Sequence, residues 1–110
     1  MTLYALNLFD LADNEDYLAY SRRSLGAVRK HGGDVVAIGE KAGEIGGDGG
    51  VPQRQLMILV SWPDAAALEA FKADPEFSDL HPLRESGTKN YLWWAYATPE
   101  DLGAALRPRT

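Results

Sequence analysis

Two hydrophobic periods alternate along this chain. The short apolar runs "LYALNLF" (3–9), "DVVAIGE" (34–40), "RQLMILVSW" (54–62) and "YLWWAYA" (91–97) are rich in β-branched and aromatic residues and predict strands. Between the first two, Tyr17, Ser21, Leu25 and Val28 recur at helical spacing with Leu18 alongside, which predicts a helix over about 17–28. Asp13 or Asn14 is placed to cap its start, and Gly32 and Gly33 to end it, because glycine accepts the left-handed conformation of a helix C-terminus. Pro63 and Asp64 open a second helix, "DAAALEAFKA", and Asp74 with Pro75 starts a further short helical segment that Pro82 breaks or bends and Gly87 closes. "TPEDL" carries a Thr cap, a proline and acidic residues, and predicts a C-terminal helix to about Leu106.

The order is βαββαβ with an extra helix, read as one domain over 1–110: an α+β, ferredoxin-like sandwich of four antiparallel strands with two helices on one face. Residues 43–50, "GEIGGDGG", hold five glycines and predict a flexible hairpin tip. A sheet with one wet face alternates apolar and polar residues, and these strands mostly do not. Leu56, Ile58, Val60 and Trp62 oppose Met57 and Leu59; Leu92, Trp94 and Tyr96 oppose Tyr91, Trp93 and Ala95; Val35 and Ala37 oppose Val36 and Ile38. Both faces are apolar, over roughly 300 Å² in projection, near the upper range of patches on soluble monomers. The helices cover one face. A second copy, sheet against sheet, covers the other and gives a two-fold homodimer; the alternative cover is the C-terminal helix.

Composition narrows the partners. The net charge is −5 and the eleven Lys and Arg are scattered, so no basic patch awaits nucleic acid. Arg22, Arg23, Arg29 and Lys30 read as a solvated helix face. The longest strongly apolar run, "LMILV" at 56–60, is too short to span a bilayer, and the acidic N-terminal stretch does not resemble a secretory signal. With no cysteine there is neither a disulfide framework nor a thiolate, and the expected location is cytoplasmic.

Few residues carry candidate chemistry. His31 either acts as a general base at a cleft edge, on a stripe with Tyr20, Ser24 and Ala27, or closes the helix beside unpaired carbonyls. His81 and Arg84, three residues apart, can share a helical face and offer a proton-transfer group with an anion-binding guanidinium, or can be surface residues with Arg84 paired to Asp79 or Glu76. Asn7, polar within strand one, is a pocket-lining amide or a structural bridge. Trp62, Trp93, Trp94, Tyr4 and Tyr91 line an aromatic pocket or form core and interface. Two distant histidines match no metal-ligand spacing, and "GEIGGDGG" lacks the lysine of a phosphate loop, so neither metal nor nucleotide cofactor is expected.

The tyrosine-bearing helix "YLAYSRR", the helix end "HGGDVV" and the stretch "LVSWPDAAALEAFKADPEFSDLHPLRESGTKN" resemble the dimeric α+β barrel superfamily, and most closely its branch called domain of unknown function thirteen-thirty. The resemblance spans about residues 3–96; the long glycine-rich hairpin and the C-terminal helix depart from it. It implies a small-molecule site between sheet and helices. The wider superfamily includes cofactor-free monooxygenases, isomerases and cyclases, haem-handling enzymes and ligand-sensing domains. Two readings follow. In one, a cofactor-free enzyme acts on a small aromatic or oxo-acid metabolite, with His31 or His81 moving a proton, Arg84 holding an anionic group, and Tyr20, Asn7 and Trp62 shaping the pocket. In the other, a non-catalytic dimeric module binds a ligand or merely pairs with itself.

Overall fold

In the computed structural model, which describes residues 1–109, strand β1 (Leu3–Leu11) lies between β3 (Leu56–Trp62) and β4 (Thr88–Ala97). Beyond β3 runs β2 (Asp34–Glu40), giving the order β2-β3-β1-β4 with every pairing antiparallel. Helix α1 (Asp16–Lys30) links β1 to β2; α2 (Ala65–Ala73), a 3-10 turn at Pro75–Phe77, and α3 (Leu80–Ser86) link β3 to β4. A short helix α4 (Leu102–Ala105) follows. This is an α+β ferredoxin-like fold with an extra C-terminal helix. No helix among the described residues is long and apolar enough to cross a membrane.

Local chemistry explains most boundaries. The Asp64 carboxylate accepts from the Ala67 N–H at 2.8 Å and starts α2; the Asp74 carboxylate accepts from the Glu76 N–H at 2.9 Å, with Pro75 at the first position of the 3-10 turn. His31 closes α1, and Gly32 follows it in the left-handed region at φ 80°. Two starts differ from expectation. Glu15 occupies the N-cap of α1 without a side-chain bond, while Asn14 accepts from the Asp16 N–H at 2.9 Å in a turn just outside it. At α4 the cap is Asp101, whose own backbone is extended and whose carboxylate accepts from the Gly103 N–H at 2.9 Å.

Two irregularities set which side chains face the helices. An extra residue in β2 between Val35 and Ala37 puts Val35 opposite Val60 and Ile38 opposite Ile58, so both face the helices, against the strict alternation expected from sequence. A second irregularity, between Leu8 and Asp10 of β1 and their partners in β4, falls where Asn90 takes φ 55°. Asn90 is held there by donating to Asp10 Oδ2 at 2.9 Å and by accepting from Arg54 Nε at 2.7 Å. Trp93, opposite Asn7, stands on the helix side, and Tyr91 with it by alternation.

The core lies between helices and sheet: Ala5, Phe9, Val60 and Trp62 from the strands meet Tyr20, Ala27, Val28, Phe71 and Leu80. The end of α3 touches the start of α1 through Gly87, whose missing Cβ would lie 2.4 Å from the Tyr17 backbone nitrogen. The opposite face presents Tyr4, Leu6, Leu8, Met57, Leu59, Leu92, Trp94 and Tyr96, by the same registers. Trp94 and Tyr96 are 39% and 54% exposed, so this face is left uncovered, and Leu102 of α4 and Leu106 just after it are exposed as well.

Candidate functional site

Between α1 and the sheet lies a cleft of about 360 Å³. Its floor comes from Ala5 and Asn7 of β1, Ile58, Val60 and Trp62 of β3, Val35 and Ile38 of β2, and Tyr91 and Trp93 of β4; its roof from Tyr17, Tyr20, Ser21, Ser24, Leu25 and Val28 of α1. That volume falls within the range of small-molecule pockets, and the lining is mostly aromatic and aliphatic with a few polar groups, as such pockets are.

The polar groups are arranged in the floor. The Tyr91 hydroxyl donates to Asn7 Oδ1, and Asn7 Nδ2 donates to the Ile58 carbonyl at 3.1 Å. Asn7 is thus both lining and bridge, joining β4, β1 and β3. Trp62 is 2% exposed and its indole N–H has no partner among the described residues. A buried donor without an acceptor is costly, and the packing around Trp62 has to offset it. Burial pushes the phenols of Tyr17, Tyr20 and Tyr91 above their ordinary range, in Tyr20 against the opposing pull of Arg84, so all three are neutral hydroxyls at pH 7.

The six residues singled out from the sequence divide into two groups. Asn7, Tyr20 and Trp62 meet in the lining. Arg84, His81 and His31 lie outside it. The α3 helix runs through Pro82, so Arg84 and His81 do share a face: Arg84 donates to His81 Nδ1 at 3.1 Å and sits 4.9 Å from the Trp93 ring centre and 5.9 Å from that of Tyr91. Because guanidinium only donates, His81 carries its proton on Nε2, which is buried without a partner. Burial, and then the Arg84 charge, push its pKa down. His31 turns away from the helix carbonyls and places Nε2 2.7 Å from the Asp74 carboxylate, which also accepts from Lys30 at 2.8 Å. Hydrogen bonds from Lys30 and His31, and the Glu76 N–H, hold the Asp74 carboxyl down at about 2.

Sequence reasoning missed Tyr17 and Ser21 as lining, visible only as members of the apolar helical stripe, and had Ser24 only as a neighbour of His31 on the cleft-edge stripe. It also missed the Asp74 anchor, whose partners are 43 and 44 residues away in sequence. Of the five aromatics singled out from the sequence, Trp62, Trp93 and Tyr91 line the cleft, while register places Tyr4 and Trp94 on the opposite face. No group of three metal-ligating side chains is found among the described residues.

Residues 2–95 match the family described as domain of unknown function (DUF1330). The chain belongs to this family. Solved structures agree on the fold. A protein of unknown function from Rhodopseudomonas palustris is similar at TM-score 0.75 and 20% identity, covering 91% of this chain and 84% of that one. A dimeric ferredoxin-like protein of unknown function from Jannaschia is similar at TM-score 0.64 and 12% identity, covering 89% and 100%. SnoaB, a cofactor-independent oxygenase from Streptomyces nogalater, is similar at TM-score 0.62 and 12% identity, covering 92% and 96%. No curated protein matches. At these identities the family member shares a fold with the three, and chemistry has to be argued from its own residues.

Proposed function

We propose that this family member is a cytoplasmic homodimer that binds a small, flat, largely apolar molecule bearing a hydrogen-bond acceptor, in the cleft between α1 and the sheet. The observation that carries this reading is the pairing of an aromatic lining, Trp62 and Trp93 included, with the neutral hydroxyls of Tyr17 and Tyr20, above a floor fixed by the Tyr91–Asn7 hydrogen bond. A carbonyl on an aromatic or conjugated skeleton satisfies such donors without bringing a charge into an apolar site. Homodimer formation through the other sheet face is supported by the exposed Trp94 and Tyr96 and by the dimeric state named for the Jannaschia protein.

A cofactor-free reaction of the monooxygenase, isomerase or cyclase type is the narrower version, supported by the shared fold of SnoaB. In that version His31 or His81 moves a proton and Arg84 holds an anion. Their positions outside the lining favour binding over this chemistry, with His81 and Arg84 backing the aromatic wall and His31 fixing the end of α1.

The three tryptophans provide the test. Trp62 and Trp93 line the cleft, whereas Trp94 lies on the opposite face. Screening a library of aromatic ketones and quinones by the indole N–H resonances is expected to yield compounds that move Trp62 and Trp93 while Trp94 stays fixed. Compounds that move Trp94 alone, or none that move Trp62, contradict the reading.

A further inference from the structure

The cleft between α1 and the sheet has two unlike ends. One register row crosses all four strands on the helix side: Trp93 of β4 lies opposite Asn7 of β1, Asn7 opposite Ile58 of β3, and Ile58 opposite Ile38 of β2. Side chains along it pass from aromatic through amide to aliphatic. Three strand spacings, about 14 Å, separate its ends, more than a single ring with its carbonyl fills.

The β4 end is closed. Tyr20 packs on Tyr17, Tyr17 on Phe9, and Phe9 on Tyr91, so the phenols gather there. Gly87 brings the end of α3 against the Tyr17 backbone, and Arg84 lies over the rings of Trp93 and Tyr91. The β2 end is open. β2 is an outer strand, and its lining residues Asp34 and Ile38 are exposed, as are Leu25 and Arg29 from the second half of α1, which leads into β2. Ile38 is 72% exposed and Leu25 40%, so the mouth has two aliphatic lips standing in water.

Resting on the binding reading above, we propose that the ligand carries an aliphatic tail: its flat, acceptor-bearing head lies at the β4 end, and the tail runs over Ile58 and leaves between Leu25 and Ile38. The two ends differ in what they can satisfy. Hydroxyls of Tyr17 and Tyr20 at the closed end call for an acceptor, whereas Val28, Val35, Ile58 and Ile38 offer no hydrogen-bonding side chain and gain only by covering apolar surface. Enclosure fixes the direction, because a chain longer than the cleft has an exit only at β2. The substrate class is therefore an alkyl-substituted aromatic ketone or quinone, and Leu25 and Ile38 determine which tails are accepted.

The test is a series of phenyl alkyl ketones from acetophenone to octanophenone, titrated into the full chain and read by the indole N–H resonances of Trp62 and Trp93. Affinity is expected to rise about threefold for each added methylene until the chain passes the lips, and then to level. Intermolecular nuclear Overhauser effects are expected to join the terminal methyl of octanophenone to the methyls of Leu25 and Ile38, and its ring to Trp93 and Tyr20. In Ile38→Ser with Leu25→Ser, both exposed positions at which unchanged circular dichroism is expected, the ratio of octanophenone to acetophenone affinity is expected to fall by about fivefold or more. Acetophenone that moves Trp62 and Trp93 while longer chains bind no tighter, or a terminal methyl that contacts Trp93 instead of Ile38, overturns the tail and leaves the cleft standing as a binding site. A ratio unchanged in the double variant overturns the exit between Leu25 and Ile38. A series in which no member moves Trp62 or Trp93 overturns the binding reading and the tail with it.

Discussion

The Tyr91 hydroxyl donates to the side-chain oxygen of Asn7, which in turn donates from Nδ2 to the Ile58 carbonyl at 3.1 Å. Three strands are thereby tied together beneath a polar spot in the cleft floor. Removing the amide leaves the phenol and the carbonyl without partners in a mostly apolar setting. Asn7→Ala is expected to cost about 1–3 kcal/mol in stability by denaturant titration, and Tyr91→Phe less, since it leaves only Asn7 Oδ1 unpaired. A double-mutant cycle measures the coupling, expected at about 1 kcal/mol; additive effects would show that the bridge does not form.

Gly33 and Trp62 make a second pair with a functional readout. A Cβ on Gly33 would lie 2.6 Å from Val28 Cγ1 and 2.9 Å from Trp62 Cζ3. Gly33→Ala therefore forces the indole to shift, and the space left to it is the cleft. The expected result is weaker binding of any compound that moves the Trp62 resonance, with overpacking costing about 1–3 kcal/mol. Unchanged binding would place the ligand elsewhere.

Gly87→Ala acts on the fold alone. Its Cβ would meet the Tyr17 nitrogen at 2.4 Å and the Leu83 carbonyl oxygen at 2.8 Å, both backbone atoms that cannot swing aside. Thermal denaturation is expected to show a loss of about 1–3 kcal/mol, through separation of α3 from α1.

Acid stability follows from Asp74. Its carboxyl titrates at about 2 in the fold against an ordinary 3.8, held down by Lys30, His31 and the Glu76 N–H. The folded value lies below the unfolded one, so the contribution is complete above about pH 4 and is lost as pH falls toward 2. Asp74→Asn is expected to lower the Tm at neutral pH and to flatten its fall between those values, as followed by calorimetry. A variant that tracks the parent across that window contradicts the assignment.

Legibility in the sequence followed the range of the interactions. β2 was visible with its observed bounds, and α2 with its Asp64 cap, because apolar runs and caps are local. The expectation of an uncovered apolar face came from the alternation of Met57 and Leu59 with Ile58 and Val60, and the registers bear that alternation out. The irregularities at Val35–Ala37 and at Asn90 were not legible, since an extra residue in a strand is defined only by its partner. For the same reason Asn7 was recognisable as an exception while Tyr91, 84 residues away, was not recognisable as its partner. The two histidines were singled out for their chemistry, and what they touch, Asp74 and Arg84, is decided by the packing of α1 and α3.

Native mass spectrometry of the protein as purified, without refolding or added ligand, tests the central claim most directly, because it reads assembly and cleft occupancy together. The account predicts the mass of two chains carrying a reproducible small adduct that is lost or weakened in Asn7→Ala. A bare single chain at micromolar concentration, with the fold intact, would contradict it.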